Sequence, residues 1–192
     1  MTEKSSTREA ILAGALDLFA DRGYSGVGVE ELAASAGVTK PTLYHYFGNK
    51  QGVFEALVAE RYDPFLDGLA IAAGYQGDLP LTLTRVVHAF FGFGTREEKI
   101  FRMGLAAELT ARDNISAQVM APRLERQHAM LTELFVQAAR DHGNMRGKHR
   151  LAAATLNATI VAYLRLAADG DLVLDDAAVW QLIQQFSYGI YS

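Results

Sequence analysis

Cysteine is absent from all 192 residues, which excludes a disulfide framework, a thiolate zinc site and a cysteine nucleophile. Proline is scarce, at four residues, and strand-like alternation between turns is missing, whereas helical punctuation recurs from end to end. No stretch approaches the roughly 18 uninterrupted apolar residues that a membrane span needs. The opening MTEKSSTREA has no apolar h-region, so no secretory signal and no membrane partner are expected, and a cytoplasmic location is. Positive charge is not in excess either. Eighteen Lys and Arg stand against 22 Asp and Glu, a net of −4, so a protein that coats nucleic acid by bulk charge is excluded and any DNA contact must be local. What remains, 50% hydrophobic and 21% charged, is the composition of a globular chain that buries a sizeable core.

The chain reads as all-α. A first helix is expected to open at Ser6, with Glu9 completing a capping box, and to carry Ile11, Leu12, Ala15, Leu16 and Phe19 on one face until Gly23 stops it. A short second helix covers Val29 to Ala36 and ends at Gly37. A third starts at Lys40, with Thr39 as its N-cap and Pro41 in its first turn, where a missing amide hydrogen costs nothing. A fourth starts near Lys50, capped by Asn49, and reaches about Ala73 with Pro64 inside it. Longer, more apolar spans follow: Leu79 to Phe93, Arg96 to Arg112 behind a Thr95–Glu98 capping box, Ile115 to Asp141, Lys148 to Ala168 and Asp176 to Tyr191. Pro122 either kinks the third of these or marks its start.

One spacing points to function. Ala33, Gly37 and Leu43 supply a small residue where two helices cross, a glycine for the sharp turn between them, and an aliphatic side chain that closes the small core of a helix-turn-helix. The second helix of the pair presents Thr39, Lys40, Thr42, Tyr44 and His45, hydrogen-bonding side chains suited to a major groove. Residues 1–62 carry six basic and eight acidic side chains, yet Val38 to Lys50 holds Lys40, His45 and Lys50 and no acid.

The runs FADRGY (19–24), ELA (31–33), GVTKPTLYHYF (37–47) and Asn49-Lys50 resemble the TetR family of bacterial one-component regulators, over about residues 5–60. The resemblance implies a helix-turn-helix DNA-binding domain at 1–50, joined by a long helix to a helical ligand-binding and dimerisation domain at 51–192. It implies a homodimer on double-stranded DNA with a palindromic operator, released by a small-molecule effector, and no cofactor. Carried over by position, Thr39, Lys40, Thr42 and His45 are recognition-helix contacts, Tyr44 a phosphate contact and Lys50 a phosphate anchor. The family's usual hydroxyl near the start of the second helix is missing at Val27 and Gly28, which leaves Ser25 as the hydroxyl candidate. Glu30 and Glu31 there suit the helix dipole and oppose a phosphate.

In the rest of the chain, Phe91, Phe101, Met103, Leu105, Leu131, Phe135 and Tyr163 line a pocket for a largely apolar ligand or simply fill the core. His88 and His128 on apolar helices are hydrogen-bonded core residues or pocket residues. Glu108 falls on the apolar stripe of Phe101 and Leu105, where a carboxylate needs an internal ion pair or a polar ligand group. No two histidines stand at i, i+4, and no metal site is expected. Small residues Ala154, Ala158 and Ala162, with Trp180, Ile183, Tyr188 and Tyr191 on the last helix, suggest a dimer interface. The expected function is a sequence-specific DNA-binding regulator, a repressor released by ligand, and not an enzyme. The alternatives are a helical interaction protein with weak or lost DNA binding, or an enzyme using the C-terminal cavity.

Overall fold

A computed structural model describes residues 3–110, 114–141 and 146–191, apart from the side chains of 3–5 and 189–191. Among the described residues every regular element is a helix: α1 Glu3–Arg22, α2 Val29–Ser35, α3 Lys40–Phe47, α4 Lys50–Ala72, α5 Leu79–Arg96, α6 Glu98–Glu108, α7 Ile115–Ala138, α8 His149–Ala168 and α9 Asp176–Tyr191. Helix α1 begins before Ser6, so the Ser6–Glu9 capping box does not start it. It ends as expected, with Gly23 at φ +69° and its amide on the Phe19 carbonyl at 2.9 Å.

Two further expectations are corrected at α5 and α6. Helix α5 does not stop at Phe93 but runs on to Arg96, with Gly94 buried and its missing side chain leaving room for Leu164, whose Cδ2 would sit 2.6 Å from a Cβ there. Thr95 turns its hydroxyl back to the Phe91 carbonyl at 2.8 Å, so Glu97 and not Thr95 is the N-cap residue of α6. Both internal prolines are absorbed. Pro64 lies inside α4 and Pro122 inside α7, so Pro122 does not start its helix.

Contacts divide the chain into two compact units, Met1–Pro64 with Glu97–Leu124, and Phe65–Arg96 with Glu125–Ser192. These units do not follow the boundary expected at residue 50, because α6 packs on α1. In the first unit α1 also packs on α2, and α2 on α3. Its core gathers Ile11, Leu12, Ala15, Phe19, Leu32, Leu43, Val53, Phe54, Leu57 and Ile100, all buried. Phe19 stacks on Tyr24 at 5.6 Å, and Phe54 meets both rings edge-on at 5.3 Å. Arg123 grips Asp63 through two hydrogen bonds of 2.7 and 3.0 Å, fork to fork.

In the second unit α5, α8 and α9 pack against one another. Phe65 stacks on Phe93 at 4.2 Å and meets Phe90 edge-on at 5.0 Å. Helix α8 is long and apolar enough to cross a membrane by length and composition. Its inner stripe, Ala152, Ala153, Leu156, Ile160 and Leu164, is buried in the unit, and its buried Asn157 accepts from Gln127 at 2.9 Å. Those internal partners make it a core helix.

The α3–α4 corner depends on one close approach. The Gly52 amide donates to Asn49 Oδ1 at 2.8 Å, and a Cβ on Gly52 would lie 2.0 Å from the Phe47 carbonyl oxygen. Replacing a helical glycine by alanine ordinarily gains ~0.5–1 kcal/mol, but forcing that backbone apart costs about 1–3 kcal/mol. Gly52→Ala is therefore expected to lower the urea unfolding midpoint followed by far-UV circular dichroism. A midpoint equal to or above the parent's refutes the close approach.

Candidate nucleic-acid interface

Helices α2 and α3 are joined by a turn that only glycine makes without strain. Gly37 sits at φ +65°, its amide on the Ala34 carbonyl and the Val38 amide on the Ala33 carbonyl, both at 3.0 Å. Together these hydrogen bonds close the end of α2. Ala33 is buried at the crossing, and Leu43 and Leu32 are fully buried beneath it. Glu31 accepts the Gly28 amide at 2.8 Å at the start of α2. The Thr42 amide points to the Thr39 hydroxyl at 3.4 Å at the start of α3, where the two threonine hydroxyls also share a 2.9 Å hydrogen bond.

This frame leaves one face of α3 outside. Thr39, Lys40, Tyr44 and His45 are exposed and Thr42 is half-buried, whereas Leu43 points inward. Tyr46 and Phe47, on the turn below, are half-buried. His45 lies edge-on to Tyr46 at 5.5 Å. The structure thus brings five of the expected DNA-facing residues together on one short helix. Ser25 is exposed in the α1–α2 loop.

Among the described residues, the cations of this unit are all engaged. Lys40 forms an ion pair with Glu30 of α2. That partner holds the Glu30 carboxyl below its ordinary range and raises the Lys40 ammonium above its own. Arg22 meets Glu31 at 2.9 Å, and Glu31 is held low first by the Gly28 amide and then by Arg22. Lys50 is turned back into the fold: its Nζ donates to the carbonyls of Tyr24 and Val27, each at 3.0 Å, and stands 4.2 Å from the centre of the Tyr24 ring. Two of its three protons are thereby taken, and it staples the α1–α2 loop to the start of α4. Nothing in the sequence signals those carbonyl partners, which lie more than twenty residues away.

The residues expected to hold a ligand are divided between the two units. Met103 and Leu105 of α6, with Phe19 and Phe54, line a cavity of about 500 Å³ in the first unit, bordered by Arg22, Ser25, Arg102, Thr110, Asn114 and Ser116. Those polar neighbours come from separate segments and had no common sequence signal. Phe101, in the same unit, is buried. Glu108 is exposed because α6 ends at that residue, so the apolar stripe does not continue under it. Its charge still adds to the burial that pushes the Tyr62 phenol well above its ordinary range.

In the second unit Phe91, Leu131, Phe135 and Tyr163 are buried, with Phe91 stacked on Tyr163 at 6.3 Å and the Tyr163 hydroxyl donating to Gln185 at 3.1 Å. His88 is neither core nor pocket: it is exposed, its Nε2 3.6 Å from Asp176. His128 is half-buried. Among the described residues no three His, Asp or Glu side chains gather where a metal ion would sit.

Along α8, Ala154, Ala158 and Ala162 face outward, flanked by exposed Leu151 and Leu166. On α9, Trp180 is 65% and Tyr188 76% exposed, whereas Ile183 is only 7% exposed and packs with Val179, Leu182 and Phe186. Ile183 therefore belongs to the unit's own core. The side chain of Tyr191 lies outside the described residues.

A short helix held across another by a glycine turn, with an exposed hydrogen-bonding face, is a helix-turn-helix DNA-reading module. Residues 11–57 match the family model for bacterial regulatory proteins, tetR family. That region carries the helix-turn-helix of the tetR family of transcriptional regulators. It is 27% identical over 186 residues to the HTH-type transcriptional activator FasR of Mycolicibacterium smegmatis, covering 97% of this chain and 83% of that one. The crystal structure of a TetR-like transcriptional regulator from Rhodococcus sp. RHA1 superposes with a TM-score of 0.74 at 25% identity, covering 97% of this chain and 96% of the other. The regulator FadR from Bacillus subtilis in complex with stearoyl-CoA shares the fold, with a TM-score of 0.72 at 19% identity and coverage of 93% and 96%.

The exposed hydrogen-bonding side chains of this module stand at α3. Lys40→Ala and Tyr44→Phe are expected to weaken binding to duplex DNA, each by about three- to ten-fold, with unchanged far-UV circular dichroism and thermal midpoint. Binding equal to the parent's in fluorescence anisotropy removes that residue from the interface.

Proposed function

We propose that two copies of this chain bind a palindromic operator as a homodimer, each inserting α3 into the major groove of one half-site. The half-sites would lie about 34–36 Å apart, one helical turn. The observation that carries this reading is the exposed face of Thr39, Lys40, Tyr44 and His45 on a helix that the Ala33–Gly37–Leu43 crossing holds rigid. In this reading Thr42 and Ser25 add hydroxyl contacts, and Lys50 uses its remaining proton toward a phosphate. The outward stripe of α8 and the Trp180 and Tyr188 face of α9 supply the contact between copies, since that much exposed apolar surface on adjacent helices asks for a partner.

The chain acts in the cytoplasm, where its DNA is, and represses until an effector releases it. Catalysis forms no part of this reading. The effector is a small, largely apolar molecule. A cavity with Phe19, Phe54, Met103 and Leu105 in its wall suits an aliphatic or aromatic body, and a long-chain acyl-CoA is the class to try first, given the ligand of the Bacillus subtilis FadR structure. Release is a population shift: the ligand must bind a DNA-incompetent state more tightly than the competent one.

Selection of random duplex DNA by the purified protein is expected to yield an inverted repeat, with enrichment lost in Lys40→Ala. Enrichment of no sequence by a folded, dimeric protein overturns the regulator reading in favour of a protein-binding module. Trp180 is the one tryptophan of the chain, so its emission reports the interface directly. Dilution through the dimer dissociation constant is expected to shift that emission to the red, and Leu166→Asp with Tyr188→Asp to give a monomer by light scattering. A red-shifted Trp180 at all concentrations in a dimer would place the contact elsewhere.

A further inference from the structure

The sequence-independent part of any DNA affinity comes from Lys and Arg side chains that neutralise phosphates. In the first compact unit, every Lys and Arg among the described side chains already has an internal partner. Arg8 pairs with Glu60, Arg22 with Glu31, Lys40 with Glu30, Arg61 with Glu97, Lys99 with Asp17, Arg102 with Glu98 and Arg123 with Asp63, and Lys50 is held by two carbonyls. Of these cations only Lys40 stands on α3. A phosphate or base edge that approaches it meets a lysine already bound to a carboxylate.

We infer that Glu30 is an intramolecular stand-in for a DNA phosphate, which occupies Lys40 in the free protein and thereby sets the affinity of the reading head for DNA of any sequence. The inference rests on the DNA-binding reading. Three features single out this pair. It joins α2 to α3 across the helix-turn-helix, so the competing carboxylate sits beside the face offered to the groove. Both partners are open to solvent, with side-chain exposures of 43% for Lys40 and 71% for Glu30, so the pair is weak enough to be exchanged. The capping box of α2 is closed by Glu31 through the Gly28 amide, and the Glu30 carboxylate, besides Lys40, takes only its own backbone amide. It can therefore leave Lys40 without opening the helix. The consequence for binding is direct. Transfer of Lys40 from Glu30 to DNA exchanges one ion pair for another and strands a carboxylate near the backbone phosphates. Bulk DNA, which offers little beyond phosphate contacts, is held poorly, and a site that adds base contacts is needed to take Lys40 away.

The test is a double-mutant cycle with Glu30→Gln, Lys40→Ala and the double variant, using a mixed-sequence duplex of about 20 base pairs as probe. Glu133→Gln, an exposed carboxylate on α7, matches the change in net charge. Glu30→Gln is expected to bind the probe about five- to ten-fold more tightly at low salt. The slope of log affinity against log salt should steepen by about one, and Glu133→Gln should leave both unchanged. In the Lys40→Ala background the gain is expected to fall below about two-fold, as an interaction between the two side chains requires. Equal affinity of Glu30→Gln and parent, or the same gain with and without Lys40, overturns the inference while leaving the DNA-binding reading intact. Absence of DNA binding by every variant at low salt, with circular dichroism showing the parent fold, overturns that reading and the inference with it.

Discussion

The close crossing of α2 over α3 is the constraint on which the DNA-reading surface depends. Ala33 lets the helices approach, Gly37 at φ +65° turns the chain between them, and Leu43 fills the space below with no exposed surface. A larger residue at 33 would press on the axis of α3 and every side chain on it, and a β-carbon at 37, though it would meet no neighbour, would be strained at that φ. Leu43 points inward, whereas Lys40 in the first turn of α3 and Tyr44 stay exposed. Beneath this pair, Phe19, Tyr24 and Phe54 form an aromatic cluster that fixes α1 and the start of α4.

Electrostatics then distinguishes this reading head from a general polycation. The chain carries a net charge of −4, and the described Lys and Arg side chains of the first unit are spent on carboxylates and carbonyls. Exposed ion pairs of this kind contribute little to stability, about 0–1 kcal/mol each, so their effect lies in what they withhold from an approaching anion. Lys50 shows the other use of a cation. Over the Tyr24 ring and against two carbonyls it satisfies backbone acceptors that the α1–α2 loop would otherwise leave to water, and it joins the loop to α4.

The second unit separates buried from exposed apolar positions along the same helices. On α9 the positions Val179, Leu182, Ile183 and Phe186 fall on one side and close the unit's core, whereas Trp180 and Tyr188 fall on the other and stay exposed. Helix α8 divides in the same way between Leu156, Ile160 and Leu164 inside and Leu151, Ala154, Ala158 and Ala162 outside. A terminal helix with two apolar sides has one more than its own chain uses.

The sequence alone was enough for the all-helical class, for most helix ends and for the reading head, because those features are local. A turn glycine, an N-cap threonine and a 3.6-residue apolar period act within a few residues of where they stand. It was also enough to name Thr39, Lys40, Tyr44 and His45 as outward residues at α3 and Leu43 as the one that closes the core. What it could not decide were contacts between segments far apart in the chain. Lys50 meets carbonyls more than twenty residues away, and Lys40 finds its acid ten residues back, across the turn. Glu108 lies in the open because α6 stops beneath it, and Ile183 packs inward while Trp180, three residues earlier, does not. Each of these outcomes depends on where a helix ends or which neighbour covers it, and that is settled only when the whole core closes.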